Sequence, residues 1–121
     1  MAPLTTHSLK KLLERIDFAR EGKIHSLNPL SPTSIEIRFS VQDIARGYDW
    51  IDIRFVLSGV CDAKLVSDNV FSSLDMSEGI TVEINANSCA LAIGEYKGRV
   101  YEAPLYIIGT SMESEELPFG G

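Results

Sequence analysis

Residues 48–66, YDWIDIRFVLSGVCDAKLV, alternate apolar and polar side chains over a length that no ordinary strand needs. A period of two is the signature of a strand with one dry face and one wet face. Ile51, Ile53, Phe55 and Leu57 fall on one face, and Asp52, Arg54 and Ser58 on the other. The odd positions stay apolar or small through Gly59, Cys61, Ala63 and Leu65, so the parity predicts one inward row from Ile51 to Leu65 with Cys61 in it. A straight strand over the whole stretch would run about 50 Å. That is too long for a domain of 121 residues, so Gly59 is expected to mark a bulge, a sharp bend or a turn.

The same alternation recurs along the chain. SIEIRFSV at 34–41 places Ile35, Ile37, Phe39 and Val41 opposite Glu36, Arg38 and Ser40, and QDIARGYD leads from it into the long stretch as a hairpin. Charge suggests its register. With Arg38 facing Asp52 and Glu36 facing Arg54, opposite charges meet and Ile37 aligns with Ile53, whereas a slide of two would set Arg38 against Arg54. A second hairpin is expected from ITVEIN at 80–85, the turn ANS, and CALAIG at 89–94, with Cys89, Leu91 and Ile93 in line. LYIIGTS at 105–111 reads as the final strand, and EYKGRVYEAP before it as a loop or a ragged strand.

Residues 5–22 read as an amphipathic helix. Leu9, Leu12, Leu13, Ile16 and Ala19 recur at helical spacing, Thr5, Thr6 or Ser8 can cap the start, and Gly22 suits the residue just past the end. An isolated helix of this length is marginal in water, so its apolar stripe must cover a sheet. The prolines of NPLSP mark an extended connection, and Asp68 or Asn69 can cap a short helical turn near 69–74. The acidic residues 111–121 are expected to fray as a tail. The expected architecture is α+β in one domain, 1–121: an N-terminal helix packed on a twisted, mainly antiparallel sheet of five or six strands within 34–110.

Composition narrows the function classes. The chain is 45% apolar and 23% charged, as a folded globular domain is. No apolar run approaches the roughly 20 residues of a membrane helix, the N-terminus has no apolar core of a secretory signal, and two distant cysteines fit a reducing compartment. A cytoplasmic protein without membrane attachment is expected. Of the net charge of −6, residues 1–30 contribute +2 and residues 31–121 contribute −8. An acidic body repels phosphate backbones, which argues against direct binding of nucleic acid.

No catalytic constellation is legible. Cys61 and Cys89 both lie in apolar strand patterns, where a thiol packs rather than reacts. His7 and His25, read as lying at helix edges, have no metal-ligand spacing to another His, Cys or carboxylate, and GEYKG at 94–98 lacks the spacing and context of a phosphate loop. No cofactor or metal is implied, and the expectation is a protein that is not an enzyme. Recognition residues are sought in loops, where aromatic rings stand beside acids: Asp43, Tyr48, Asp49 and Trp50 at the first hairpin, and Glu95, Tyr96 and Glu102, with Tyr101, in the later loop. Such pairs suit a basic protein partner, since the ring supplies desolvated contact and the charge steers approach.

The order GKIHSLNPL, SIEIRFSV, WIDIRFVLSGV, over residues 22–66, resembles small bacterial proteins of the immunity type, found in polymorphic toxin and contact-dependent inhibition systems. The resemblance carries no site residues. It implies a cytoplasmic protein that binds a basic toxin domain and occludes its active site. Two other readings stay open from the residues: a self-assembling structural or regulatory domain, monomer or homodimer, and a small-ligand protein or enzyme with a cleft between helix and sheet.

Overall fold

The computed structural model describes residues 2–119. One α-helix, α1 (Thr6–Arg15), accompanies two antiparallel sheets. The larger sheet has the order β1-β9-β4-β3-β2, from β1 (Ala2–Pro3), β2 (Lys23–Ser31), β3 (Ser34–Asp43), β4 (Asp49–Ser58) and β9 (Ser111–Pro118). The smaller has the order β5-β8-β7-β6, from β5 (Asp62–Lys64), β6 (Ile80–Ile84), β7 (Cys89–Ile93) and β8 (Tyr106–Gly109). The α+β class and the antiparallel pairing agree with the sequence; the single sheet of five or six strands does not. Both sheets and α1 close on one core, in which Phe39 and Phe55 meet edge to face at 6.1 Å beside Ile37, Ile53, Leu91, Ile93 and Ile107. Full burial of each such side chain is worth about 1.5–3 kcal/mol.

The division into two sheets happens at Gly59. Its φ of +62° turns the chain out of β4, and a Cβ there would lie 2.1 Å from the Thr110 hydroxyl. Val60 N–H donates to Thr33 O, Cys61 N–H to Ile108 O, and Thr110 N–H to Ser58 O, each at 2.9 Å, so the outgoing and returning chains cross side by side. The inward parity therefore holds from Ile51 to Leu57, all buried, and fails beyond the glycine: Cys61 and Leu65 are exposed. A strand that changes sheet restarts its alternation.

The first hairpin corrects the charge-based register. Arg38 lies opposite Arg54, Ile37 opposite Phe55 and Ser40 opposite Asp52. The turn decides it: the Asp43 carboxylate accepts from Ala45 N–H (3.0 Å) to cap the 3-10 turn Ile44–Arg46, and Tyr48 N–H returns to Asp43 O (2.9 Å). That geometry uses five connecting residues where the expected register left three. The expected ion pairs form nonetheless, on the diagonal: Arg38 Nε to Asp52 at 2.6 Å and Arg54 Nε to Glu36 at 2.5 Å. Diagonal neighbours on a sheet face remain within reach of long side chains.

Three further corrections concern element bounds. The helix is capped by Thr5, one of the three residues expected to be able to do so, but it stops at Arg15, not near 22. Asp17, Phe18 and Ala19 follow in left-handed conformation, each costing an L residue about 1–2 kcal/mol. Packing holds them: Ala19 is buried, Glu21 N–H donates to Met76 O (2.8 Å), and the Phe18 carbonyl occupies the space of a Cβ at Gly79, whose own φ is +72°. The extended connection expected at NPLSP, 28–32, is the end of a longer edge strand, β2, which starts at Lys23 and also carries His25, expected at a helix edge; Pro29 is tolerated because an edge leaves some N–H groups unused. Residues 111–118, expected to fray, form β9, paired on both sides by β1 and β4. Its Met112 is buried, Glu116 meets Arg15 at 2.6 Å, and Glu115 stands opposite Arg54.

Among the remaining segments, residues 68–73 form the short turn expected there, as a 3-10 helix, and residues 94–104 form a loop with a 3-10 turn at Val100–Glu102 rather than a strand.

Candidate functional site

The outward face of the larger sheet is built in rows. From the registers, Gln42 and Trp50 stand side by side, then Ser40, Asp52 and Leu117, then Arg38, Arg54 and Glu115, then Glu36, Val56 and Glu113. The middle rows form a charge lattice that covers itself. Asp52 is 0% exposed on this face, accepting from Arg38 and from the Ser40 hydroxyl (2.8 Å), while Arg38 also donates to Pro118 O (3.3 Å). Desolvated carboxylates persist when hydrogen-bonded and paired in this way.

The row of Gln42 and Trp50, at the hairpin end, is the aromatic one. The Trp50 ring lies 5.7 Å from that of Phe119, which follows β9, and Lys23 Nζ lies 5.9 Å from the Trp50 centroid. Trp50 and Phe119 wall a groove of about 390 Å³ with Lys23, Ile24, His25 and Ser40. Seven large hydrophobic side chains are exposed among the described residues, and four of them, Ile44, Tyr48, Trp50 and Phe119, sit at this end of the sheet. Exposed apolar groups gathered at one place mark an interaction surface far better than the same number scattered.

The residues singled out from sequence separate on this framework. Tyr48, 60% exposed, and Asp49, also exposed, adjoin Trp50, itself 36% exposed, at the hairpin end. Asp43 belongs to the same turn but points inward: it is 1% exposed and pairs with Arg15 (3.1 Å) and Arg46 (3.8 Å) as it caps the turn, so it latches hairpin to helix. Glu95, Tyr96 and Glu102 lie on the other sheet, in the β7–β8 connection. Tyr96 is half-buried against Ala90, Ala92, Val100 and Ala103 with Arg99 5.5 Å from its ring, and Glu102 pairs with Arg99 at 3.7 Å. Phe119 and Ile44 complete the aromatic end and were not read from sequence. Phe119 falls in the stretch expected to fray, and only the pairing of Pro118 with Ile51 brings it to Trp50.

The two thiols have different surroundings. Cys89 is buried, and burial pushes its pKa up despite a hydrogen bond from the backbone at Gly109. Cys61 is exposed at the sheet corner, its sulfur 3.7 Å from Ile108 O. No group of three or more His, Cys, Asp or Glu side chains able to hold a metal occurs among the described residues, and no helix among them is long and apolar enough to cross a membrane. No protein-family model, curated protein or solved structure matches the chain.

Proposed function

We propose that the protein is a non-enzymatic protein-binding domain of the immunity type, which neutralises a basic toxin by covering its active site. The carrying observation is the gathering of Ile44, Tyr48, Trp50 and Phe119 at one end of the larger sheet. Tryptophan and tyrosine at the centre of a patch are the side chains that most often dominate binding energy. Charge supports the kind of partner: a net −6, concentrated in residues 31–121, accelerates encounter with a cationic protein and repels nucleic acid, the substrate of many such partners. The mechanism is steric. The rigid hairpin turn, latched by Asp43 to Arg15, presents Tyr48, Asp49 and Trp50 without needing to move.

The test uses the purified product of the gene next to this one. Calorimetric titration at low and high salt should show binding that weakens as salt rises, and Trp50→Ala should loosen it by about 2 kcal/mol or more, roughly thirtyfold in Kd. Glu102→Lys, on the other sheet, should bind as wild type. An undiminished affinity for Trp50→Ala, or no binding by a folded wild-type protein, refutes the reading.

A further inference from the structure

The fold leaves four strands at sheet edges, and three of them are protected against pairing. β1 has two residues, β5 has three, and β2 carries Pro29 and two register irregularities. The fourth, β6, has none of these devices. It runs five residues, Ile-Thr-Val-Glu-Ile, in unbroken register with β7, with no proline and no bulge.

The direction of its unused hydrogen bonds follows from the ends of the hairpin. Asn85 N–H donates to Ser88 O and Gly94 N–H to Gly79 O, both at 2.8 Å. In an antiparallel ladder bonded pairs alternate with unbonded ones, so Thr81 and Glu83 spend their backbone groups on β7 while Ile80, Val82 and Ile84 direct theirs outward. Among the described residues no backbone group from another element takes them. A groove of about 270 Å³ runs along Ile80–Glu83, walled by Leu13 and Phe18 and rimmed by Lys97.

We propose that β6 is a homodimer interface, pairing antiparallel with β6 of a second copy about a twofold axis at Val82. This register sets Val82 against Val82, Ile80 against Ile84, and Thr81 against Glu83, and it joins the two four-stranded sheets into one of eight strands. All three outward residues of each copy then bond. A slide by one position toward Glu83 would oppose the two Glu83 carboxylates, and a slide toward Thr81 would leave Ile84 unused, so self-complementarity selects the Val82 register. Each Glu83 arrives opposite Thr81 of the other copy while it accepts from Gly98 N–H of its own (2.6 Å), so this register sets no two Glu83 carboxylates face to face.

Light scattering and amide hydrogen exchange across a dilution series test this. A species of twice 13.3 kDa should dissociate on dilution, and the amides of Ile80, Val82 and Ile84 should be slow in the concentrated sample and fast in the dilute one. Val82→Pro removes an outward N–H, together with a side chain packed at the margin of the core, and should give the 13.3 kDa monomer with the Thr81 and Glu83 amides still protected. Should the variant fail to fold, wild-type exchange alone decides. A wild-type monomer at every concentration overturns the proposal, as does a dimer whose Val82 and Ile84 amides stay fast, or a monomer in which an extended peptide slows them.

Discussion

The Arg38–Asp52 pair makes an asymmetric prediction. Asp52 is 0% exposed and Arg38 is 24% exposed, so the two partners lose different things when the other is removed. In Asp52→Asn the guanidinium can turn into water and the amide oxygen still accepts a hydrogen bond, at a cost of about 1–2 kcal/mol, the worth of a charge-assisted hydrogen bond less what the amide retains. In Arg38→Met a fully buried carboxylate loses the guanidinium 2.6 Å from it, which costs about 3–5 kcal/mol. The double variant should be more stable than Arg38→Met alone, because a buried amide needs no counter-ion. Ser40→Ala adds a register-specific check, since Ser40 faces Asp52 only in the observed pairing, and it should cost about 1 kcal/mol. Urea unfolding at neutral pH with linear extrapolation reads all four. Equal costs for Asp52→Asn and Arg38→Met would refute the reasoning.

The other two predictions concern residues that sequence and structure place differently. A disulfide reagent should label one thiol, Cys61, rapidly in the native protein, and Cys89 only on unfolding. Because burial raises the Cys89 pKa, the stability tied to its neutral form is complete below the ordinary thiol range and is lost as pH rises through it; a second thiol reacting as fast as the first would contradict the burial. Met112→Asp should unfold the domain, because an uncompensated charge in the core costs several kcal/mol against a total stability of about 5–15 kcal/mol. Glu113→Gln, one residue on and on the outward face, should melt within a few degrees of wild type by circular dichroism; a folded Met112→Asp would mean that residues 111–118 fray after all.

How much was legible depended on whether a feature is local. The alternation at 35–41 and 51–57 marks strands and their dry faces without outside help, and Ile53 and Leu57 are buried as their parity requires, whereas at 89–93 the strand is legible but both its faces are buried. The partners of Arg38 and Arg54 were legible too, since charge has reach and tolerates a diagonal. Their register was not, because Asp43 sets it by folding back on Ala45, a choice among turn geometries that the strands do not report. The end of α1 was hidden for a similar reason: nothing in residues 16–22 asks for a left-handed turn, and the space that admits it is made by Gly79, sixty residues on.

Strand β9 is the sharpest case. On its own, SMESEELP has two large apolar side chains, Met112 and Leu117, at positions of opposite parity, and three acids that favour water. Its place in the sheet comes from what it meets: β4 offers a full ladder from Ile51 to Ser58, Arg54 stands opposite Glu115, and Arg15 of α1 reaches Glu116. Strand propensity of this kind belongs to the surroundings more than to the segment. The same displacement hid half of the aromatic end. Tyr48 and Trp50 announce themselves beside a turn, but Phe119 reaches Trp50 only because an acidic stretch is held as a strand for eight residues before it. The surface is therefore conditional on β9: a change that frees residues 111–118 should strip Phe119 from Trp50 and weaken partner binding before the hairpin itself is disturbed.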